Sequence, residues 1–234
     1  MTKLSLLGPN DKPMTASVTD GVSVSALLQT PPGARACYVL AHGAGAGMSH
    51  PFMVAVARGL AERGIATLRY QFPYMERGSK RPDPPKLAQA TVRAAINVAR
   101  NALPRLPLIA GGKSFGGRMT SQAQAEAALP GVRGLAFLGF PLHPAGQPSA
   151  DRGKHLSDVK IPMLFLQGTR DTLAALDELR PLCKALGTRA TLTLFADADH
   201  SFHVPARSGR TDAQVRAEML DALADWIAGA IGRG

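Results

Sequence analysis

Short, continuous apolar runs alternate along this chain with longer stretches whose apolar residues recur at helical spacing, and glycine or proline separates most of them. Val22 to Leu28 alternates apolar and polar and predicts a half-exposed strand, one of a set of antiparallel edge strands within the first thirty or so residues; Gly8 to Asp11 predicts a turn before it. Cys37 to Ala41 is apolar throughout, as a strand buried on both faces must be. Phe52 to Arg63 predicts a helix stopped by Gly64, Ile65 to Leu68 a strand, and Met75 to Pro85 a charged, proline-rich surface loop. Lys86 to Leu103 carries Leu87, Ala90, Ala94, Ile96 and Val98 on one broad face and predicts a helix ended by Pro104. Pro107 to Gly111 predicts a strand, Met119 to Ala128 has a helix-forming composition, and Val132 to Phe140 predicts another buried strand. Pro141 to Lys160 lacks any amphipathic period, which argues against a large helical lid. Ile161 to Leu166 and Thr191 to Phe195 predict strands, and Thr172 to Leu186 and Thr211 to Ile231 predict helices. Strands and helices in alternation imply an α/β fold: a mostly parallel sheet with helices on both faces, here as one domain over residues 1–234.

In such a sheet ligands bind beyond the carboxyl ends of the strands. Four chemically distinctive segments fall there, each after a different strand. The first is Gly112-Lys113-Ser114-Phe115-Gly116, a Gly-x-Ser-x-Gly turn between a strand and an expected helix, in which Ser114 is a candidate nucleophile. Serine also commonly caps helices, so the pentapeptide alone leaves both readings open. The second is His42-Gly43-Ala44-Gly45-Ala46-Gly47, whose glycines let backbone N–H groups converge on an anion. The third and fourth are Gln167 to Asp171 and Asp197 to His203. Asp171 is a candidate acid or a helix cap; His200 is the candidate base, with His203 as its alternative and Asp197 or Asp199 as alternative acids. His143, in another strand-end loop, is read as either a substrate contact or a structural histidine, and Lys113 as a side chain turned to solvent, to a structural partner or to the site.

Two nucleotide motifs are imitated. A phosphate-binding loop requires glycine where Pro107 stands, which disfavours a nucleoside triphosphatase. The glycine-rich loop after Ala41 also resembles a dinucleotide fingerprint, but the next strand leads to Arg69 rather than to an acidic residue; Arg69 would have to meet a 2′-phosphate for that reading to hold.

Composition narrows the classes. The 234 residues are 45% hydrophobic and 19% charged, a globular balance. The net charge of +10 raises the question of a polyanionic partner, yet the basic residues are scattered and not interleaved with aromatics, so neither nucleic acid nor membrane is expected as a partner. Cys37 and Cys183 have no metal or redox spacing and are expected to be reduced and buried. With no apolar run of transmembrane length and no leader-like apolar stretch at the start, the expectation is a soluble cytoplasmic protein.

Taken together, His42-Gly43-Ala44-Gly45, Gly112 to Arg118, Gly139 to Pro144, Gln167 to Asp171 and Asp199 to Phe202 resemble the α/β-hydrolase superfamily, its dienelactone-hydrolase-like members, and most closely the KANL3/Tex30-like hydrolases. The resemblance spans nearly the whole chain. It implies the chain order serine, acid, histidine, supplied here by Ser114, Asp171 and His200. It also implies an oxyanion hole from the backbone N–H groups of Phe115 and Ala44, with His42, Gly43 and His143 as candidate substrate contacts. The implied activity is serine hydrolysis of an ester, thioester or related acyl bond in a small-molecule substrate, without cofactor or metal, by a monomer or loose oligomer. An interaction module on the same fold is the alternative, because relatives in this group belong to regulatory complexes and fold does not dictate activity.

Overall fold

A computed structural model describes residues 11–232. Eight strands form one sheet: β1 (Asp11–Thr19), β2 (Val22–Gln29), β3 (Ala36–Ala41), β4 (Ile65–Tyr70), β5 (Leu108–Lys113), β6 (Val132–Leu138), β7 (Met163–Gly168) and β8 (Ala190–Phe195). Their order is β1-β2-β4-β3-β5-β6-β7-β8. The β1–β2 and β2–β4 pairs are antiparallel and all the others parallel. The helices are α1 (Pro51–Ala61), the single turn α2 (Pro73–Glu76), α3 (Pro85–Ala102), α4 (Phe115–Glu126), α5 (Leu176–Leu186) and α6 (Asp212–Ile231).

The continuous apolar runs have the cause assigned to them, since both faces of the sheet are covered. Along β3, Cys37, Val39 and Ala41 join a core with Val92 and Ile96 of α3, Met119 of α4 and Leu179 of α5. The alternate residues Ala36, Tyr38 and Leu40 join a second core with Val56 of α1 and Met219 and Leu223 of α6. A strand with period-two side chains and two buried faces has no solvated position to give a polar residue, and every residue of β3 and of β7 is buried. Both cysteines are buried free thiols, and burial raises Cys37 to about 12 and Cys183 to about 11, which makes them inert.

Several boundaries differ from the sequence pattern. Gly8 to Asn10 of the expected turn lie outside the described residues, and Asp11 opens β1 instead of turning the chain. Helix α4 begins at Phe115, directly after Ser114, four residues earlier than composition implied. Helix α5 begins at Leu176, not Thr172, because the Asp171 carboxylate accepts from the Leu173 N–H at 2.8 Å and the Ala175 N–H donates to His143 Nε2 at 2.9 Å. The crossover after β6 holds one 3₁₀ helix, Asp151–Asp158, which packs on α4 and α5. Among the described residues no helical lid covers the carboxyl ends of the strands. Helix α6 opens with a reciprocal capping box between Thr211 and Gln214. Among the described residues, too, no helix is long and apolar enough to cross a membrane.

Candidate active site

β5 is an inner strand, hydrogen-bonded to β3 on one side and β6 on the other, and its carboxyl end delivers Ser114. Ser114 has φ 49° and ψ −116°, a conformation that costs a non-glycine residue about 1–3 kcal/mol. This turn sends the chain from strand into helix with the hydroxyl standing clear. Gly116 makes the turn possible: a Cβ there would lie 2.6 Å from both Ala41 Cβ and His42 O.

Loops after two further strands close on that hydroxyl. His200, in the loop 196–205 after β8, places Nε2 2.8 Å from Ser114 Oγ and Nδ1 2.7 Å from Asp171 Oδ2. An Nδ1–H donated to the carboxylate leaves Nε2 unprotonated, ready to accept the serine hydroxyl. Asp171 is 5% exposed and saturated with donors: besides His200, its carboxylate accepts from Gln167 Nε2 and from the Leu173 N–H. Gln167 is itself oriented by the Phe140 N–H, which donates to its Oε1 at 2.8 Å. Sequence reasoning missed this glutamine. The signal available there was its position four residues before Asp171, at the end of a buried strand.

The alternatives are placed elsewhere. The His203 ring turns away to Asp212, 2.9 Å from Oδ2, at the start of α6. Asp199 Oδ1 accepts from the Ser201 and His203 N–H groups and so braces the loop. The Asp197 N–H donates to Thr169 Oγ1, a bond between the two loops.

A cavity of about 370 Å³ opens over Ser114, lined by Gly43, Ala44, Ala46, Phe52, Met53 and Leu173 together with His50, Lys113, His200 and Ser201. Ala44 thus lines the same cavity as Ser114. The Phe115 N–H belongs to the first turn of α4, where helices leave amides without intrahelical partners. Its ring packs edge-on against Phe72, with centroids 5.3 Å apart.

His42 and His143 do not line this cavity, and the substrate contact expected of them gives way to structural placement. His42 is 0% exposed; its Nδ1–H donates to Gly43 O at 2.8 Å and its Nε2 accepts from the Phe72 N–H at 3.2 Å. It pins the glycine-rich loop to the segment after β4. His143 does the same for the chain before α5, between Pro144 O and the Ala175 N–H. Gly43 does line the cavity, and a Cβ there would touch Lys113 and Ser114. Arg69 is withdrawn from the surface: it is 1% exposed and paired with Asp11 at 2.6 Å, as a buried guanidinium requires, so the 2′-phosphate reading loses its residue.

Burial disfavours the His42 imidazolium and lowers its pKa from 6.5 to about 4. Between those values the unfolded chain binds a proton that the folded chain refuses, so stability falls as pH drops through the window, by about 3 kcal/mol for this group. Urea unfolding from neutral pH down to about pH 4 is expected to show a shallower loss in His42→Asn than in wild type; equal slopes would show that His42 is not the group responsible.

A second serine–histidine pair, Ser121 Oγ to His155 Nε2 at 2.7 Å, lies between α4 and the 3₁₀ helix. Ser121 is fully buried, and its one hydroxyl proton is donated to Arg118 O at 2.9 Å, which leaves its oxygen to accept from His155 Nε2–H. Desolvation and the nearby Arg118 charge hold His155 at about 4, too weak a base to activate a hydroxyl, and among the described residues no carboxylate hydrogen-bonds its ring.

Solved structures share this architecture. A dienelactone hydrolase from Anabaena variabilis superposes with a TM-score of 0.75 at 21% identity, over 94% of this chain and 98% of that one. A serine hydrolase without a lid from Xanthomonas campestris gives 0.72 at 22% identity, covering 94% and 96%. An esterase domain from Rhodothermus marinus gives 0.70 at 17% identity, covering 92% and 97%. These likenesses are of fold. A family model described as an alpha/beta hydrolase domain matches residues 34–228, from just before β3 into α6, and the chain belongs to that family.

Proposed function

We propose that the protein is a serine hydrolase that cleaves an ester, thioester or related acyl bond through Ser114, His200 and Asp171. The observation that carries this reading is the unbroken chain from Ser114 Oγ through both nitrogens of His200 to Asp171, at 2.8 and 2.7 Å, on the floor of an open cavity. His200 Nε2 takes the hydroxyl proton as Oγ attacks the acyl carbon, and Asp171 holds the ring in the required tautomer and stabilises the imidazolium that forms. The tetrahedral oxyanion is received by the N–H groups of Phe115 and Ala44. Collapse expels the leaving group with the proton from His200, and water repeats the sequence on the acyl-enzyme. The scheme calls for no cofactor. Placement among the KANL3/Tex30-like hydrolases rests on the motifs alone.

Phe52, Met53 and Leu173 give the cavity an apolar wall, and no described residue closes it off from solvent. Short acyl esters are therefore expected to be hydrolysed in free solution, with rates that do not jump at the micellar threshold of the substrate. Activity only above that threshold would contradict an open site.

The reading as a whole is tested with a fluorophosphonate probe and peptide mapping. Stoichiometric labelling at Ser114 is expected, abolished in Ser114→Ala and strongly slowed in His200→Ala. Folded protein that stays unlabelled by several small probes would favour an interaction module.

A further inference from the structure

Lys113 ends β5 and adjoins Ser114, yet its side chain crosses to a different loop. Its ammonium donates to the main-chain oxygen of His200 at 2.5 Å and lies 5.7 Å from the centroid of the Phe202 ring. One cation thus holds the loop at residue 200 and again at residue 202. Room for it is provided from a third element. Gly139, just after β6, has φ +72°, and a Cβ there would stand 2.9 Å from Lys113 Nζ and 3.3 Å from His200 Cε1 and Nδ1.

The loop so held is not a relaxed one. Asp197 and Phe202, on either side of His200, have φ of 58° and 62°, left-handed values that non-glycine residues rarely adopt. Asp199 braces the N–H groups of residues 201 and 203, and His200 itself is held through its carbonyl by Lys113. We propose, resting on the serine-hydrolase reading, that Lys113 is a positioning residue whose ammonium tethers the His200 backbone and thereby keeps the imidazole within hydrogen-bonding reach of Ser114.

The tether is titratable. Desolvation lowers the Lys113 pKa to about 8, against the opposing attraction of Asp171 and Asp199, the carboxylates that face it from the loops after β7 and β8. Above that pH a neutral amine replaces the charge-assisted bond with a weaker one, and the attraction to the Phe202 ring disappears. Serine reactivity therefore falls as pH rises through this region. Without Lys113 there is no such fall.

The experiment measures the rate of Ser114 labelling by a fluorophosphonate from about pH 6 to 10 in wild type, Lys113→Met, Lys113→Arg and His200→Ala, with thermal unfolding of each. Wild type is expected to show an alkaline decline near pH 8. Lys113→Met is expected to react about 10- to 100-fold more slowly at neutral pH, the loss of one hydrogen bond to a charged group, and to show no alkaline decline. Lys113→Arg keeps a permanent charge and moves the decline beyond the measured range, which decides the matter if the methionine variant does not fold. A folded Lys113→Met that labels within about threefold of wild type with the same alkaline decline would overturn the proposal alone. So would persistence of that decline in Lys113→Arg. Labelling that is absent in wild type or indifferent to His200→Ala would overturn the serine-hydrolase reading, and this inference with it.

Discussion

Ser114→Ala and His200→Ala are each expected to lower turnover of a small ester by about 10⁴-fold, and the double variant to be little worse than either single one. The magnitude follows from what the proposed mechanism asks of each atom. Without Nε2 at 2.8 Å, the hydroxyl must lose its proton to water during attack, and without Oγ there is no acyl-enzyme to form. The effects do not add, because in the proposed mechanism the two residues perform one step together. Residual turnover is expected to come from the cavity and the backbone amides, which neither substitution removes. Asp171→Asn is expected to lose comparable activity by another route: an amide nitrogen in place of Oδ2 sets a donor against both Nδ1 and Gln167 Nε2, and in place of Oδ1 sets one against the Leu173 N–H, so the carboxylate that fixes the ring tautomer is lost in either orientation. Steady-state kinetics of folded variants, normalised by titration of reactive serine in wild type, provide the measurement. His200→Ala within about tenfold of wild type would remove His200 from the reaction.

The elements that build this site were legible in the sequence to the extent that burial wrote them there. β3, β6 and β7 are covered on both faces, and their apolar runs state as much. Ser114 was legible because its strained turn demands glycine at fixed neighbouring positions. β1 was legible only as one of a set of edge strands: Met14, Ala16 and Val18 alternate with Thr15, Ser17 and Thr19, but Ala16 is its one buried residue, and where the strand begins and ends is set by its main-chain ladder with β2 and by packing against Ala94 and Val98 of α3. The start of α5 was hidden for a related reason. Thr172 to Ala175 has nothing in its composition to forbid a helix, and the Asp171 carboxylate and the distant His143 claim its amides. His42 and His143 look alike from sequence to any histidine that touches a ligand. Their burial against backbone donors and acceptors is a tertiary fact, set by residues up to 32 positions away. Lys113 was legible as a neighbour of the nucleophile, whereas its reach to a carbonyl 87 residues later was not.

Gly112→Ala is expected to destabilise the fold severely, not merely to lower activity. Gly112 lies in β5 with φ +147°, a region that side chains essentially exclude, and a Cβ built on it would fall 2.2 Å from Ala41 O and 2.8 Å from Ala41 C and N. Those atoms are backbone of β3, hydrogen-bonded into the same sheet at the Ala41–Gly112 pairing, so no rotamer change relieves the contact. Either β5 leaves its register or β3 moves, and both strands carry the loops that meet at Ser114. Conformational strain of about 1–3 kcal/mol and an unrelieved backbone clash at the upper end of the same range, about 3 kcal/mol, together come to about 4–6 kcal/mol, a large part of the 5–15 kcal/mol typical of a domain. For a chain of this length that is a fall in Tm of about 10 °C or more, or protein that does not accumulate in soluble form. Gly33→Ala separates the two causes. Gly33 has φ +66°, and a Cβ added to it would meet nothing within 4 Å, so it isolates the cost of conformation, expected at about 1–2 kcal/mol. If Gly112→Ala were no more destabilising than Gly33→Ala by urea and thermal unfolding, the close approach of β3 to β5 would not be what reserves this position for glycine.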